Sequence, residues 1–231
     1  MSTHPHPRKY PEKVDFDPRK PPKIKTYKYV DLAHAGDVKA GSLKLNTLGG
    51  YAHLEDESRR DDKEGMSIHK INYMNIEPGD EDGRKAAAKL LFDLGTDVSG
   101  TFLRCEATLR TPPAYCLCLS EVPDSRSLLS SGSQAIFEIS DTLGLAVKLQ
   151  EKYPNRFMSV FVGQVQYSGR VFEDYENANH VPPWMWKEPR DEEDAEVRMI
   201  FFAPEGGTAE ESICPRDEEI ARFLKPFKEA P

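Results

Sequence analysis

No stretch of this sequence approaches the ~18 consecutive apolar residues that a membrane-spanning helix requires. The first apolar cluster is only Tyr-Lys-Tyr-Val at 27–30, so the N-terminus lacks the apolar core of a secretory signal. Cysteine is scarce: there are four, and three of them fall within residues 105–118. Cys116 and Cys118 are two apart on an expected strand, so they share a face and cannot easily bridge each other. That pattern predicts free thiols and a reducing, cytoplasmic compartment. Glycine-rich phosphate loops and internal repeats are absent. The six histidines, at 4, 6, 34, 53, 69 and 180, include no pair at helical ligand spacing, and the Cys pair has no second pair to complete a zinc site. No metal is therefore expected. Ser130-Ser131-Gly132-Ser133 lacks the frame of a nucleophile elbow and reads as a turn.

Charge is plentiful but unevenly placed. Residues 1–28 carry eight Lys/Arg against three acids, a net of +5, so the rest of the chain holds −13 of the overall −8. An acidic body repels nucleic acid over most of its surface; the basic N-terminal arm is suited either to touch it or, in better accord with the charges, to lie against its own acidic body. Residues 1–23 hold six prolines and almost no apolar periodicity. They are expected as an extended arm, ordered only where it packs on the body, and residues 24–231 are expected as a single domain. With hydrophobic residues at 38%, that body can bury a real core.

Alternation predicts strands at 24–30, 43–47, 67–76, 101–109, 114–120, 134–139, 156–168 and 196–202. Helices are expected at 32–40, at 84–94 with Asp82 as cap and Gly95 as stop, and after Asp141. A last helix is expected at 217–227, with Ile220, Phe223, Leu224 and Phe227 on one face. Strands without a regular strand–helix repeat imply an α+β fold of mixed or antiparallel sheets with a few peripheral helices.

Two charged segments invite chemistry. Asp56-Glu-Ser-Arg-Arg-Asp-Asp-Lys-Glu-Gly65 is eight-tenths charged with both signs mixed; such runs are commonly solvated, self-paired loops. In Trp186-Lys-Glu-Pro-Arg-Asp-Glu-Glu-Asp-Ala-Glu-Val-Arg-Met-Ile-Phe-Phe202 an acidic loop runs straight into an apolar strand. If the backbone is extended, Asp194, Glu196 and Arg198 point to one face. Two carboxylates there can hold a ribose hydroxyl, stabilise developing positive charge and orient an acceptor, with Arg198 fixing a carboxylate or a phosphate. The same spacing also fits an edge salt bridge below a solvated loop.

The order of several short motifs resembles a loose group of bacterial proteins of unknown function, many with an ADP-ribosyltransferase-like architecture. It begins with Tyr27-Lys-Tyr29, a short helix and a strand. Leu45-Asn-Thr-Leu-Gly-Gly-Tyr-Ala-His-Leu-Glu-Asp56 comes next, then Arg59/Arg60, Asp61, Glu64 and Gly65. Tyr115-Cys-Leu-Cys-Leu-Ser120 and Ala135-Ile-Phe-Glu-Ile-Ser140 succeed them, and the series closes on the aromatic, the Lys and the acid-x-Glu-x-Arg of 186–201. The resemblance implies NAD as substrate and Glu196 as the late catalytic Glu, with Asp194 in the upstream position. It further implies Tyr29, Tyr51, Arg60, Ser120 and Arg198 as cofactor-binding residues. Tyr51 would stack on a ring and Arg60 would meet a phosphate. Transferases place an Arg or His on the first strand, where this chain has Lys28 and Tyr29, and Ser120 is all that remains of a Ser-Thr-Ser strand.

The implied activity is cleavage of NAD and modification of a macromolecular acceptor, as a toxin or phage-defence factor. The competing expectations are a non-catalytic binding protein on the same scaffold and, with less support, a metal-dependent nuclease using Asp61-Asp-Lys-Glu-Gly65 and Asp191-Glu-Glu-Asp-Ala-Glu196. On the enzyme reading, Glu196→Gln is expected to abolish activity with little effect on stability. The cysteine expectation has its own measurement: thiol titration of the denatured, unreduced protein should count four reactive thiols per chain, and a lower count would show a disulfide.

Overall fold

The computed structural model describes residues 24–48, 65–89, 99–123, 134–169, 171–173, 182–209 and 212–229. The arm at 1–23 and the charged loop at 49–64, including Tyr51 and Arg60, lie outside the described residues. The fold is α+β, with mostly antiparallel sheets and few helices. No helix among the described residues is long and apolar enough to cross a membrane.

Of the eight segments expected as strands, the six at 24–30, 43–47, 114–120, 134–139, 156–168 and 196–202 contribute to one central seven-stranded sheet. Its members are β1 (Thr26–Asp31), β2 (Asn46–Thr47), β5 (Ala114–Ser120), β6 (Gln134–Ile139), β7 (Ser159–Gln164), β11 (Glu196–Phe202) and β12 (Leu224–Glu229). The order is β12-β6-β1-β5-β11-β7, antiparallel throughout, with β2 paired to β5 off this path. A three-stranded sheet joins β4 (Gly100–Arg110), β3 (Met66–Ile76) and β9 (Val171–Glu173). A two-stranded parallel ribbon joins β8 (Gln166–Tyr167) and β10 (Trp186–Lys187).

The pleat sorts the central strands into two faces. Tyr115, Leu117 and Leu119 of β5 and Val197, Met199 and Phe201 of β11 enter the main core. There they meet Leu145, Ala146 and Leu149 of a helix at Thr142–Lys152. Asp141 caps that helix as expected, accepting from Gly144 N. The opposite parity of β5 and β11 gathers Ala114, Cys116 and Ile200 with Leu48, Cys118 and Trp184. Glu196 and Arg198 share that parity, so they lie on the second face, away from the helix.

Several boundaries differ from expectation. The chain at 32–40 forms a 3-10 turn and the short helix Ala35–Lys39. Of 43–47 only Asn46–Thr47 joins the sheet; Leu43 N and Leu45 N instead donate to Pro215 O and Ile213 O, and both leucines are fully buried. The helix at Glu81–Lys89 is capped by Asp80, not Asp82: Gly83 N donates to Asp80 Oδ1 at 2.9 Å. Asp82 falls in the first turn, where a carboxylate suits the helix dipole. The segment 156–168 splits at Val165, where the chain leaves the main sheet to form β8.

The expected helix at 217–227 is the clearest correction. Only Glu218–Ala221 is helical, and Leu224–Glu229 pairs with β6. Pro226 is the reason: it lacks an N–H and its ring would strike a carbonyl one turn back, whereas an outer strand with a bulge accepts it. The register shift falls at Pro226/Lys228. Ile220 and Leu224 reach the core in this arrangement, while Phe227 is half exposed beside Tyr27.

Gly41 joins the first helix to this C-terminal unit. Its φ is +84°, and a Cβ there would lie 2.0 Å from the carbonyl oxygen of Asp217. Gly79 has a similar φ of +87° with no neighbour within 4 Å. Gly79→Ala should therefore cost about 1 kcal/mol of backbone strain, and Gly41→Ala at least ~2 kcal/mol. Urea denaturation of the two variants should separate conformation from collision, and equal losses would refute the close approach.

Candidate functional site

The main strand of the site is β11, which starts at a strained corner. Residues Pro189–Asp194 form a 3-10 helix, and Ala195 closes it in the left-handed region, at φ 42° and ψ 52°. An alanine there is held by its surroundings. Glu121 N donates to Ala195 O at 3.0 Å, and Ser120 Oγ lies 2.6 Å from Asp194 O. Asp194 is thus not the next pleat residue before Glu196, as an extended backbone would make it. It stands on the far side of the corner.

The two carboxylates meet nevertheless, because Lys187 bridges them. Its Nζ donates to Glu196 Oε2 at 2.8 Å and to Asp194 Oδ2 at 3.2 Å. The other oxygen of Glu196, Oε1, accepts from Arg198 Nε at 2.5 Å. Arg198 Nη1 donates to Trp184 O at 2.7 Å, tying the 182–187 segment to the second face of the sheet. Exposure rises outward through this cluster: the side chains of Arg198, Glu196, Asp194 and Lys187 are 2%, 6%, 10% and 17% exposed.

Burial pushes the Glu196 carboxyl upward, but Arg198 and then Lys187 outweigh it and bring the group down to about 2. Tyr167 closes the backbone side: its hydroxyl oxygen accepts from Glu196 N at 2.6 Å. Chiefly through burial, the phenol is pushed up to about 12, so it stays neutral. This contact arises from the split after Val165, which pairs Tyr167 with Lys187 in the ribbon.

The three strands singled out in the sequence are neighbours, and one register row crosses them. Tyr27 of β1 is opposite Ser120 of β5, and Ser120 is opposite Glu196 of β11. Ser120 is fully buried; its hydroxyl accepts from Val122 N and holds the corner before Glu196. Tyr29 is buried beside Tyr27 and Ile136, with its hydroxyl donating to Val122 O at 2.8 Å. Lys28 Nζ donates to Cys118 O at 3.0 Å, in the gap where β1 diverges from β5 after the single Tyr27–Ser120 pair.

Arg198 faces Cys118 across the ladder. The Sγ atoms of Cys116 and Cys118 lie 3.6 Å apart and unbridged, and burial pushes the Cys116 thiol up. The described part of the site thus holds Glu196, Asp194, Arg198 and Ser120, with Tyr29 on the neighbouring β1, two residues beyond the Tyr27 of the row.

Lys187 was visible only as a motif letter. Its role depends on the β8–β10 pairing, which no local pattern announces. Among the described residues no group of three or more His, Cys, Asp or Glu is placed to hold a metal ion. Asp194 and Glu196 bracket an ammonium instead.

The geometry also corrects the expectation that Glu196→Gln leaves stability unchanged. Removing that charge strands the buried guanidinium and the ammonium, at a cost of roughly 3–5 kcal/mol near neutral pH. A depressed carboxylate stabilises the fold above its unfolded pKa, and that contribution is lost as pH falls through the folded value. The stability gap between wild type and Glu196→Gln should therefore be full above about pH 5 and close by roughly 3 kcal/mol as pH falls toward 2. Denaturation curves at several pH values measure it, and a gap independent of pH would contradict the ion pairing.

Set against protein-family models, curated proteins and solved structures, the chain matches none of them.

Proposed function

We propose that the chain is an ADP-ribosyltransferase-like enzyme that splits NAD at the bond between nicotinamide and ribose and transfers the ADP-ribosyl group to a macromolecular acceptor. One observation carries the reading. The first strand, the strand ending in Ser120 and the strand beginning with Glu196 are adjacent, and Tyr27, Ser120 and Glu196 stand in one row. The resemblance requires those strands to cooperate, although they are separated by about ninety and seventy-five residues of chain.

In the proposed reaction the C1′–N bond breaks and nicotinamide leaves with the bonding pair. Positive charge develops on the ribose ring oxygen and C1′. Glu196 binds a ribose hydroxyl and faces that charge from a rigid strand in a site of low dielectric, where a fixed carboxylate lowers the barrier most. Arg198 and the Tyr167 hydroxyl fix the carboxylate and its backbone. Asp194, across the corner, orients the incoming acceptor, whose nucleophilic atom bonds to C1′ and gives up its proton to that carboxylate and on to solvent. A toxin or phage-defence role accords with such chemistry on a macromolecule.

A second reading has its own observation. Both oxygens of Glu196 are paired to cations, as in a purely structural ion cluster. On that reading the scaffold binds a partner without catalysis.

Nicotinamide release from NAD, with a cell lysate supplying acceptors, separates the two. The wild type should release nicotinamide and label an acceptor. Glu196→Gln, assayed at a temperature where it remains folded, should lose at least ~100-fold in rate. Asp194→Asn should lose more transfer than hydrolysis. A folded wild type that releases no nicotinamide and labels nothing would reject the enzyme in favour of the binding protein.

A further inference from the structure

We propose that the outer edge of β4 is a homodimer surface: a second copy of this chain adds its own β4 there, antiparallel, about a two-fold axis through Cys105. The inference stands apart from the NAD-cleaving reading and does not rest on it.

β4 (Gly100–Arg110) has eleven residues and a neighbour on one side. β3 lies between it and β9, and among the described residues nothing pairs with its other side. The phase of the ladder shows what that side offers. Thr111 N donates to Gly65 O at 2.8 Å, one step beyond the Met66–Arg110 pair, and the same register holds to Ile76–Gly100. Odd-numbered residues of β4 therefore turn their N–H and C=O groups toward β3, and even-numbered residues turn theirs outward. Such a row of open donors and acceptors is a template for another strand. Proline, lysine or a very short strand would guard it, and β4 has no proline, no lysine and full length. Its one irregularity is Arg104, at φ 50°, where the pair with Asn72 drops out of the ladder and the register continues on both sides. Apolar surface lies alongside. Tyr73 and Leu103 oppose each other across the β3–β4 ladder and are 62% and 65% exposed.

Charge selects the occupant and its register. When two identical strands pair antiparallel about a two-fold axis, residues equidistant from the axis oppose each other. An axis through Arg104 or through Glu106 would set like charges face to face. An axis through Cys105, the midpoint of the strand, matches its whole length and sets Arg104 against Glu106 of the second copy, twice by symmetry. Both residues are exposed, and the Lys70 ammonium lies 3.8 Å from Glu106 within the chain. The same axis satisfies the hydrogen-bonding phase. Arg104 and Glu106 both turn their backbone outward, so they form a hydrogen-bonded pair. Cys105 turns its backbone inward and meets its own counterpart in the closer, non-hydrogen-bonded kind, with Cα atoms ~4.5 Å apart. The irregular Arg104 lies beside the axis, so in each copy it meets a regular residue. The two three-stranded sheets then become one continuous sheet, with the Tyr73–Leu103 pairs flanking its centre.

Light scattering over a concentration series of the full-length protein tests the surface. The wild type should approach twice the 26.1 kDa chain mass. Arg104→Glu or Glu106→Arg alone opposes like charges at both symmetric points and should raise the dimer dissociation constant at least ~10-fold. The two together restore opposite charges and should return it to within about threefold of wild type, a recovery that a merely structural role of either residue would not give. Copper-phenanthroline oxidation of the wild type needs no variant and decides the matter should the variants not fold. Peptide mapping should find Cys105 joined to Cys105 of the second copy, since the close pair lies within disulfide reach. A wild type that stays at monomer mass at ~100 μM overturns the proposal. So do a dimer unmoved by the single reversals, a folded double variant that does not recover, and cross-links that exclude Cys105 and run through the exposed Cys214 instead.

Discussion

The structure around β11 depends on keeping one guanidinium, that of Arg198, ionised beneath a sheet where it is almost wholly shielded from water. An ion moved into such a place loses hydration worth several kcal/mol and must recover it from fixed partners. Glu196 supplies the charge and the Trp184 carbonyl a further acceptor. Glu196 is then itself a buried ion, which Lys187 and Arg198 stabilise from opposite oxygens. Glu196 comes from the same strand as Arg198, and Trp184 and Lys187 are delivered together by the 182–187 segment. The left-handed Ala195, the Ser120 contact to the corner and the departure of β8 from the main sheet are consequences of that delivery.

The same demand explains which parts of the molecule the sequence could disclose. Strand positions were legible because burial on a pleated sheet leaves a two-residue period, and the six central segments share one sheet. The Asp141 cap was named although Ser140 and Thr142, both capping residue types, flank it. At 80–82 two aspartates compete, and the outcome turned on where the preceding Pro78-Gly79 turn let the helix begin. At 217–227 the helical spacing of four apolar residues was real, but Pro226 interrupts it, and the spacing alone gave no warning that a strand would take over.

The site divides in the same way. Glu196 and Arg198 could be placed on one face because both belong to a regular strand. Asp194 could be named but not positioned, because an alanine is a poor announcer of a left-handed corner; glycine or asparagine would have signalled it. Ser120 could be tied to Glu196 only through strand order, which alternation does not encode. Lys187 needed the pairing of two two-residue strands, elements too short to leave any periodic trace. Tyr51 and Arg60, expected to stack on a ring and to meet a phosphate, lie outside the described residues.

A compensated carboxylate is stable and an uncompensated one is useful, and the cluster separates those properties between its two cations. Were both cations as deeply anchored as Arg198, the cluster would match the purely structural one of the second reading. Were both as exposed as Lys187, the carboxylate would lose the partner that keeps it ionised, and burial would favour its protonated form. Arg198 exerts the larger downward pull on the carboxyl from the buried side, and Lys187 adds to it from a flexible stem. That asymmetry is built into the fold: a central strand carries the inner cation, and a ribbon beside the sheet carries the outer one.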